Sequence, residues 1–149
     1  MTLETDWLNL PAVQKALNVD GNVDWTTCNY AVNADFTDWT VSYADGAEAM
    51  LAAGKRVLIM AGKLDYICNY LGSQATALAL NWSGKGAFNN APMKDWYIGN
   101  TLAGSVQTYE NLHLIFVNKA GHLVPMDQPE SAYVLFENYI NNAAFNTTS

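Results

Sequence analysis

The chain has 149 residues, half of them apolar, and a formal net charge of −7 from seven Lys and Arg against fourteen Asp and Glu. That size and apolar share suit one globular domain with an ordinary core and exclude a disordered chain. An acidic chain without a clustered Lys/Arg run repels a phosphate backbone, so no nucleic-acid partner is expected. The longest apolar runs, such as Val57 to Ala61, fall far short of the ~20 residues that a membrane-spanning helix needs, so no membrane crossing is expected.

In chain order, Trp7 to Val19 predicts a short amphipathic helix, with Pro11 just inside its start and Val13, Ala16 and Leu17 at helical spacing. Asp20 to Asp45 is rich in Asn, Asp and Thr interleaved with Trp25, Tyr30, Phe36 and Trp39. It reads as irregular structure packed down by its aromatics. Ala47 to Ala53 predicts a helix closed by Gly54, followed by Val57 to Ala61 as a strand buried on both faces of a parallel sheet. Leu71 to Leu80 predicts another helix. Trp96 to Asn100 and Val106 to Tyr109 read as the arms of a hairpin around Thr101 to Gly104. Leu112 to Val117 is a second buried strand, and a helix is expected from about Gln128 to Asn141, with Asp127 as N-cap, Pro129 in the first turn and Glu130 at the capping-box position. Helices alternating with buried strands predict an α/β architecture.

Two polar residues follow the two buried strands: Asp65 in Gly62-Lys63-Leu64-Asp65-Tyr66, and His122 in Lys119-Ala120-Gly121-His122-Leu123. Open α/β sheets place catalytic groups beyond the carboxyl ends of their strands. An imidazole can take a proton from a hydroxyl and return it to a leaving group, while a carboxylate fixes the tautomer and stabilises the imidazolium. An Asp followed by a His obeys the second half of the Ser, Asp, His chain order of α/β-hydrolases. The competing readings are a turn or cap residue for the Asp and a hydrogen-bonded structural group for the His. No G-x-S-x-G occurs, and the single serine upstream of Asp65, Ser42, lacks flanking glycines. His113, inside an apolar strand, reads as a hydrogen-bonded core residue. Two histidines and two cysteines, Cys28 and Cys68, match no zinc spacing, so no metal is expected. A bridge between the two cysteines stays open. Asn81-Trp82-Ser83 and Asn146-Thr147-Thr148 are glycosylation sequons in a secretory compartment. The N-terminus has no basic start and apolar stretch of a secretory signal, which implies either a signal already removed or a start other than the native one.

The segments GKLDYICNYLG (62–72) and NKAGHLVPMDQPESA (118–132) resemble the acid and histidine motifs of the serine carboxypeptidase family, above all its carboxypeptidase Y-like members. WLNLPAVQKALNV, CNYAVNADF, MLAAGKRVLIMAGKLD and the hairpin leading into NLHLIFV also resemble the family's C-terminal portion, in order, over essentially the whole chain. The resemblance implies the C-terminal part of an α/β-hydrolase fold spanning 1–149, with parallel strands, flanking helices and a β-hairpin. It implies that Asp65 is the triad acid, His122 the triad base, Leu123 a residue lining the pocket for the substrate's C-terminal side chain, and Cys68 a free cysteine beside that pocket. A plain buried apolar role for Cys68 stays open. Cys28 would pair with a cysteine much nearer the family's N-terminus. Neither the nucleophilic serine, the oxyanion donors nor the glutamates that recognise a free carboxylate are in this sequence, so the chain alone is expected to be inactive. The implied partners are the N-terminal portion or chain of the same enzyme and peptide substrates, with no cofactor, in the secretory pathway, vacuolar, lysosomal or extracellular. Relatives that use the fold for acyl transfer or hydroxynitrile cleavage stay open. The alternative is a non-catalytic interaction module derived from the fold, which would pair with another chain or self-associate.

Overall fold

A computed structural model of the chain describes residues 3–19, 23–38 and 40–145. They divide into two units, residues 1–41 and 42–149.

The first unit holds three one- to two-turn helices, α1 (Leu3–Leu8), α2 (Pro11–Ala16) and α3 (Tyr30–Asp35). The single helix predicted over Trp7 to Val19 is broken at Asn9 and Leu10. A proline disfavours helical geometry in the residue before it, and Leu10 is extended (φ −69°, ψ 128°) with Pro11 opening α2. Side-chain amides fasten this unit. Asn9 exchanges hydrogen bonds with both backbone groups of Trp25 (2.8 and 2.9 Å), and the buried Gln14 donates to the carbonyls of Val23 and Leu8 (2.7 and 3.2 Å). Of the stretch predicted to be irregular, Asp20, Gly21, Asn22 and Trp39 lie outside the described residues. The rest contains α3, nucleated by Asn29, whose side chain accepts from the amides of Ala31 and Val32. An asparagine in a polar run is as good an N-cap as it is a loop residue.

The second unit runs α4 (Ala44–Ala52), β1 (Val57–Gly62), α5 (Tyr70–Ala79), α6 (Lys85–Asn90), β2 (Lys94–Ile98), β3 (Thr101–Tyr109), β4 (Leu112–Val117), α7 (Val124–Asp127) and α8 (Pro129–Ile140). As expected, Gly54 follows α4 in a left-handed conformation (φ +69°), where its missing Cβ removes the strain. The four strands form one sheet in the order β1-β4-β3-β2. β1 and β4 are parallel, with Val57 opposite Leu112 and Gly62 opposite Val117, and β3 is antiparallel to both of its neighbours. The sheet is therefore mixed.

Period-two alternation along β4 explains the two cores. Leu112, Leu114 and Phe116 point into a cluster with Leu51, Ala77, Leu80 and Phe88 from the α4, α5 and α6 side. Ile115 and Val117 point the other way, into a cluster with Trp96, Val106, Val124 and Leu135 from the hairpin, α7 and α8. Each fully buried Leu, Ile or Phe contributes on the order of 1.5–3 kcal/mol relative to exposure. Gln107 is a buried polar residue in this unit, and it donates to the carbonyls of Phe88 (2.7 Å) and Ala91 (3.0 Å), which ties β3 to the end of α6.

Three expectations are corrected. Thr101 to Gly104 is not the hairpin turn but the start of β3; the turn is Gly99-Asn100, with Gly99 at φ +56°. Gly104 is glycine because β4 passes so close that a Cβ there would sit 1.9 Å from the Phe116 carbonyl oxygen. β1 is not buried on both faces; as the edge strand of this sheet it leaves Val57, Leu58 and Ile59 half-buried and Met60 exposed. Asp127 is not the N-cap of the last helix. It ends α7, and Gln128 precedes α8 without a side-chain cap. Among the described residues no helix is long and apolar enough to cross a membrane.

Candidate active site

Parallel pairing of β1 with β4 brings their carboxyl ends side by side, and the two loops leaving those ends are stitched together. The amide of Lys63 donates to the Val117 carbonyl (3.0 Å) and that of Leu64 to the Ala120 carbonyl (2.9 Å), while Asp65 closes a tight turn onto Gly62 (3.1 Å). The crossing is close enough that a Cβ on Gly62 would stand 2.3 Å from the Gly121 carbonyl oxygen and 2.4 Å from that of Ala120. Glycine at 62 is thus a packing requirement of the site.

Within this junction the Asp65 side chain, 6% exposed, lies against the His122 imidazole, 62% exposed, with Oδ2 to Nδ1 at 2.9 Å. The other carboxylate oxygen, Oδ1, accepts from the amides of Ile67 (2.9 Å) and Cys68 (3.0 Å). The hydrogen bond from His122 is the main cause holding the Asp65 carboxyl below the ordinary carboxylate value. Burial opposes it, and the Cys68 and Ile67 amides and the imidazole's charge reinforce it. An ionised carboxylate only accepts, so in the neutral ring Nδ1 carries the proton and Nε2 keeps its lone pair. That is the tautomer a general base requires.

Around the pair, Leu64, Tyr66, Ile67, Leu123 and Met126 are all large, apolar and exposed. Cys68, exposed and unbridged, completes a trio: a sulfur, a carboxylate oxygen and a ring nitrogen of Cys68, Asp65 and His122 all lie within 4.8 Å of one another. Three such ligands match a catalytic zinc set. Here, however, Oδ2 and Nδ1 already face each other, and a metal between them would have to displace their shared proton.

Cys28 is an exposed free thiol in the first unit, so the bridge to Cys68 left open by the sequence is not formed. Ser42 immediately precedes α4, where it accepts from the Ala44 amide (3.4 Å), and no strand leads into it. Asn81 is exposed, with its backbone amide on Glu48 Oε1 (2.8 Å), and Asn146 lies outside the described residues. His113 lies on β4 away from the carboxyl ends. Its Nδ1 meets Thr108 Oγ1 at 2.7 Å, and its Nε2 is buried without a partner among the described residues. Burial, aided by the Arg56 charge, pushes its pKa down. The core reading of His113 thus accounts for one of its two nitrogens.

Sequence reasoning missed the Ile67 and Cys68 amides on Asp65 and the Gly121 amide that donates to Asp127 Oδ2 (2.7 Å). The only signal was an aspartate six residues beyond that glycine, and it reads equally well as a helix cap.

The family model described as serine carboxypeptidase matches residues 1–142. Carboxypeptidase Y of Candida albicans is 39% identical over 138 residues, covering 91% of this chain and 25% of the relative. Carboxypeptidase Y of Schizosaccharomyces pombe is 38% identical over 143 residues (93% and 14%), and serine carboxypeptidase-like 49 of Arabidopsis thaliana is 37% identical over 138 (92% and 27%). The chain spans about a quarter or less of the length of these relatives. The crystal structure of KEX1(DELTA)P, a prohormone-processing carboxypeptidase from Saccharomyces cerevisiae, superposes with a TM-score of 0.73 at 25% identity, over 93% of this chain and 31% of that one. A mixed sheet flanked by helices is thus part of an α/β-hydrolase fold, and the chain belongs to the serine carboxypeptidase family.

Proposed function

We propose that this chain supplies the acid and the base of a Ser-Asp-His triad to a serine carboxypeptidase that removes C-terminal residues from peptides, and that it is inactive by itself. The observation that carries this reading is the 2.9 Å contact between Asp65 Oδ2 and His122 Nδ1 at the carboxyl ends of adjacent parallel strands, on an imidazole that is 62% exposed. A serine held by the rest of the enzyme gives its proton to Nε2 as its oxygen attacks the carbonyl of the last peptide bond. Asp65 stabilises the imidazolium, His122 protonates the departing amine, and water then releases the acyl group by the reverse proton route. No residue here supplies the nucleophile, since no G-x-S-x-G is present.

Two further observations support a partner at the site. Leu64, Tyr66, Ile67, Leu123 and Met126, on and beside the loops that carry the pair, are exposed apolar residues, and their natural cover is the part of the enzyme that carries the serine. Leu123 and Cys68 border the pair and would line the pocket for the substrate's terminal side chain. Cys28 would bridge to a cysteine outside this chain, and Asn81 and Asn146 would carry glycans, features that fit an enzyme of the secretory pathway, vacuolar, lysosomal or extracellular.

Labelling with a fluorophosphonate tests the reading. The isolated chain should take no label. A polypeptide joining it to an in-frame segment with G-x-S-x-G should be labelled on that serine, and His122→Ala should abolish the labelling. A folded, joined polypeptide that stays unlabelled and cleaves no C-terminal bond would instead support a non-catalytic interaction module.

A further inference from the structure

His122 sits on a segment, residues 118–123, that forms neither helix nor strand, and its second residue, Lys119, has a left-handed backbone (φ +56°). Such a segment holds a side chain in place only through what fastens its backbone. On the β1 side, Leu64 donates to the Ala120 carbonyl. At the start, Asn118 donates through its backbone amide and side chain to the carbonyls of Ala103 (2.8 Å) and Leu102 (3.2 Å). On the far side the single turn of α7, closed by the Asp127 amide on the Leu123 carbonyl (3.0 Å), folds the chain back so that Asp127 Oδ2 accepts from the Gly121 amide at 2.7 Å. Gln128 reaches the Lys119 carbonyl from the same place (3.3 Å).

We propose that Asp127 is a positioning residue for His122: its carboxylate holds the Gly121 amide and thereby fixes the peptide that aims the imidazole at Asp65. This deepens the triad reading and rests on it. The Gly121 amide is one bond set away from the His122 backbone, so its direction limits where the imidazole can start. A bond to an ionised acceptor is roughly twice as strong as a neutral one. A Cβ on Gly121 would stand 3.3 Å from Oδ2, so the glycine also lets the carboxylate approach. Asp127 has no competing duty as a cap, because α8 starts without one.

The test is NMR on the 149-residue chain, which needs no catalysis, followed by kinetics on the joined enzyme. In Asp127→Ala, the Gly121 amide should exchange about tenfold faster. The low-field Nδ1 proton of His122 should broaden or vanish, and the Asp65 carboxyl should titrate nearer the ordinary value, while core amides such as those of Leu114 and Phe88 stay protected. Asp127→Asn, which keeps an acceptor oxygen, should restore the Gly121 and His122 signals. If alanine unfolds the chain, Asp127→Glu, which displaces the acceptor oxygen by one methylene, still decides: the Gly121 amide and the His122 Nδ1 proton should shift together. An unchanged Nδ1 proton in a folded Asp127→Ala, or in an Asp127→Glu chain whose Gly121 amide has moved, overturns the proposal. In the joined enzyme Asp127→Ala should lower kcat with KM nearly constant, and an equal loss in protein stability alone with unchanged kcat also overturns it. An unlabelled wild-type enzyme with the NMR coupling intact would sink the triad reading and leave the positioning contact standing.

Discussion

Gly62→Ala places a methyl group where the loops carrying Asp65 and His122 cross. The new Cβ would start 2.3 Å from the Gly121 carbonyl oxygen, about 1 Å short of ordinary contact at 3.4 Å, and both nearby oxygens are backbone, so no flexible side chain can yield. The histidine loop must move outward by about that distance or β1 must slip. Overpacking of this kind costs typically 1–3 kcal/mol. Its functional cost lies near the top of that range, because a misplacement of about 1 Å at a reacting group can lower turnover by ~10²-fold, about 2.7 kcal/mol. Thermal unfolding of the chain gives the first quantity, and the His122 Nδ1 proton with kcat of the joined enzyme gives the second. A Gly62→Ala protein with native stability, an intact Asp65–His122 hydrogen bond and unchanged kcat would refute the claim that this crossing sets the site.

Three other outcomes follow from the same geometry. Asp65 should titrate below 3.8 in the folded chain, its contact with His122 being present above that value and lost as pH falls through the lower folded midpoint; a carboxyl ¹³C titration with a midpoint at or above 3.8 contradicts this. In the joined enzyme, Asp65→Asn should retain the fold by circular dichroism yet reduce kcat by about 10⁴, since an amide cannot stabilise the imidazolium and favours the wrong tautomer, and His122→Ala should do at least as much damage. Peptide mapping of the isolated chain under non-reducing conditions should find no Cys28–Cys68 bridge within one molecule, and a thiol reagent should reach both exposed sulfurs.

Features that depend on short-range pattern were legible in the chain alone. Continuous apolar runs marked the two parallel strands, Gly54 marked the end of α4, and the strand-end positions of Asp65 and His122 marked the candidate pair. The pattern failed where one residue type serves two geometries. Gly104 reads as a turn residue until β4 is seen pressing on it, and Asn29 reads as a loop residue although it caps α3. β1 looked like a doubly covered strand because its composition is that of one, while its exposure depends on which neighbours the sheet provides. Only the tertiary structure decided that the Asp65 carboxylate meets Nδ1 of His122 at 2.9 Å, that Gly62 makes room for that meeting, and that Asp127 turns back onto Gly121 instead of capping α8. The physical reason is the same in each case: these contacts join positions that only the β1–β4 pairing and the turn of α7 bring together, and hydrogen-bond direction and close approach leave no periodic trace in the chain.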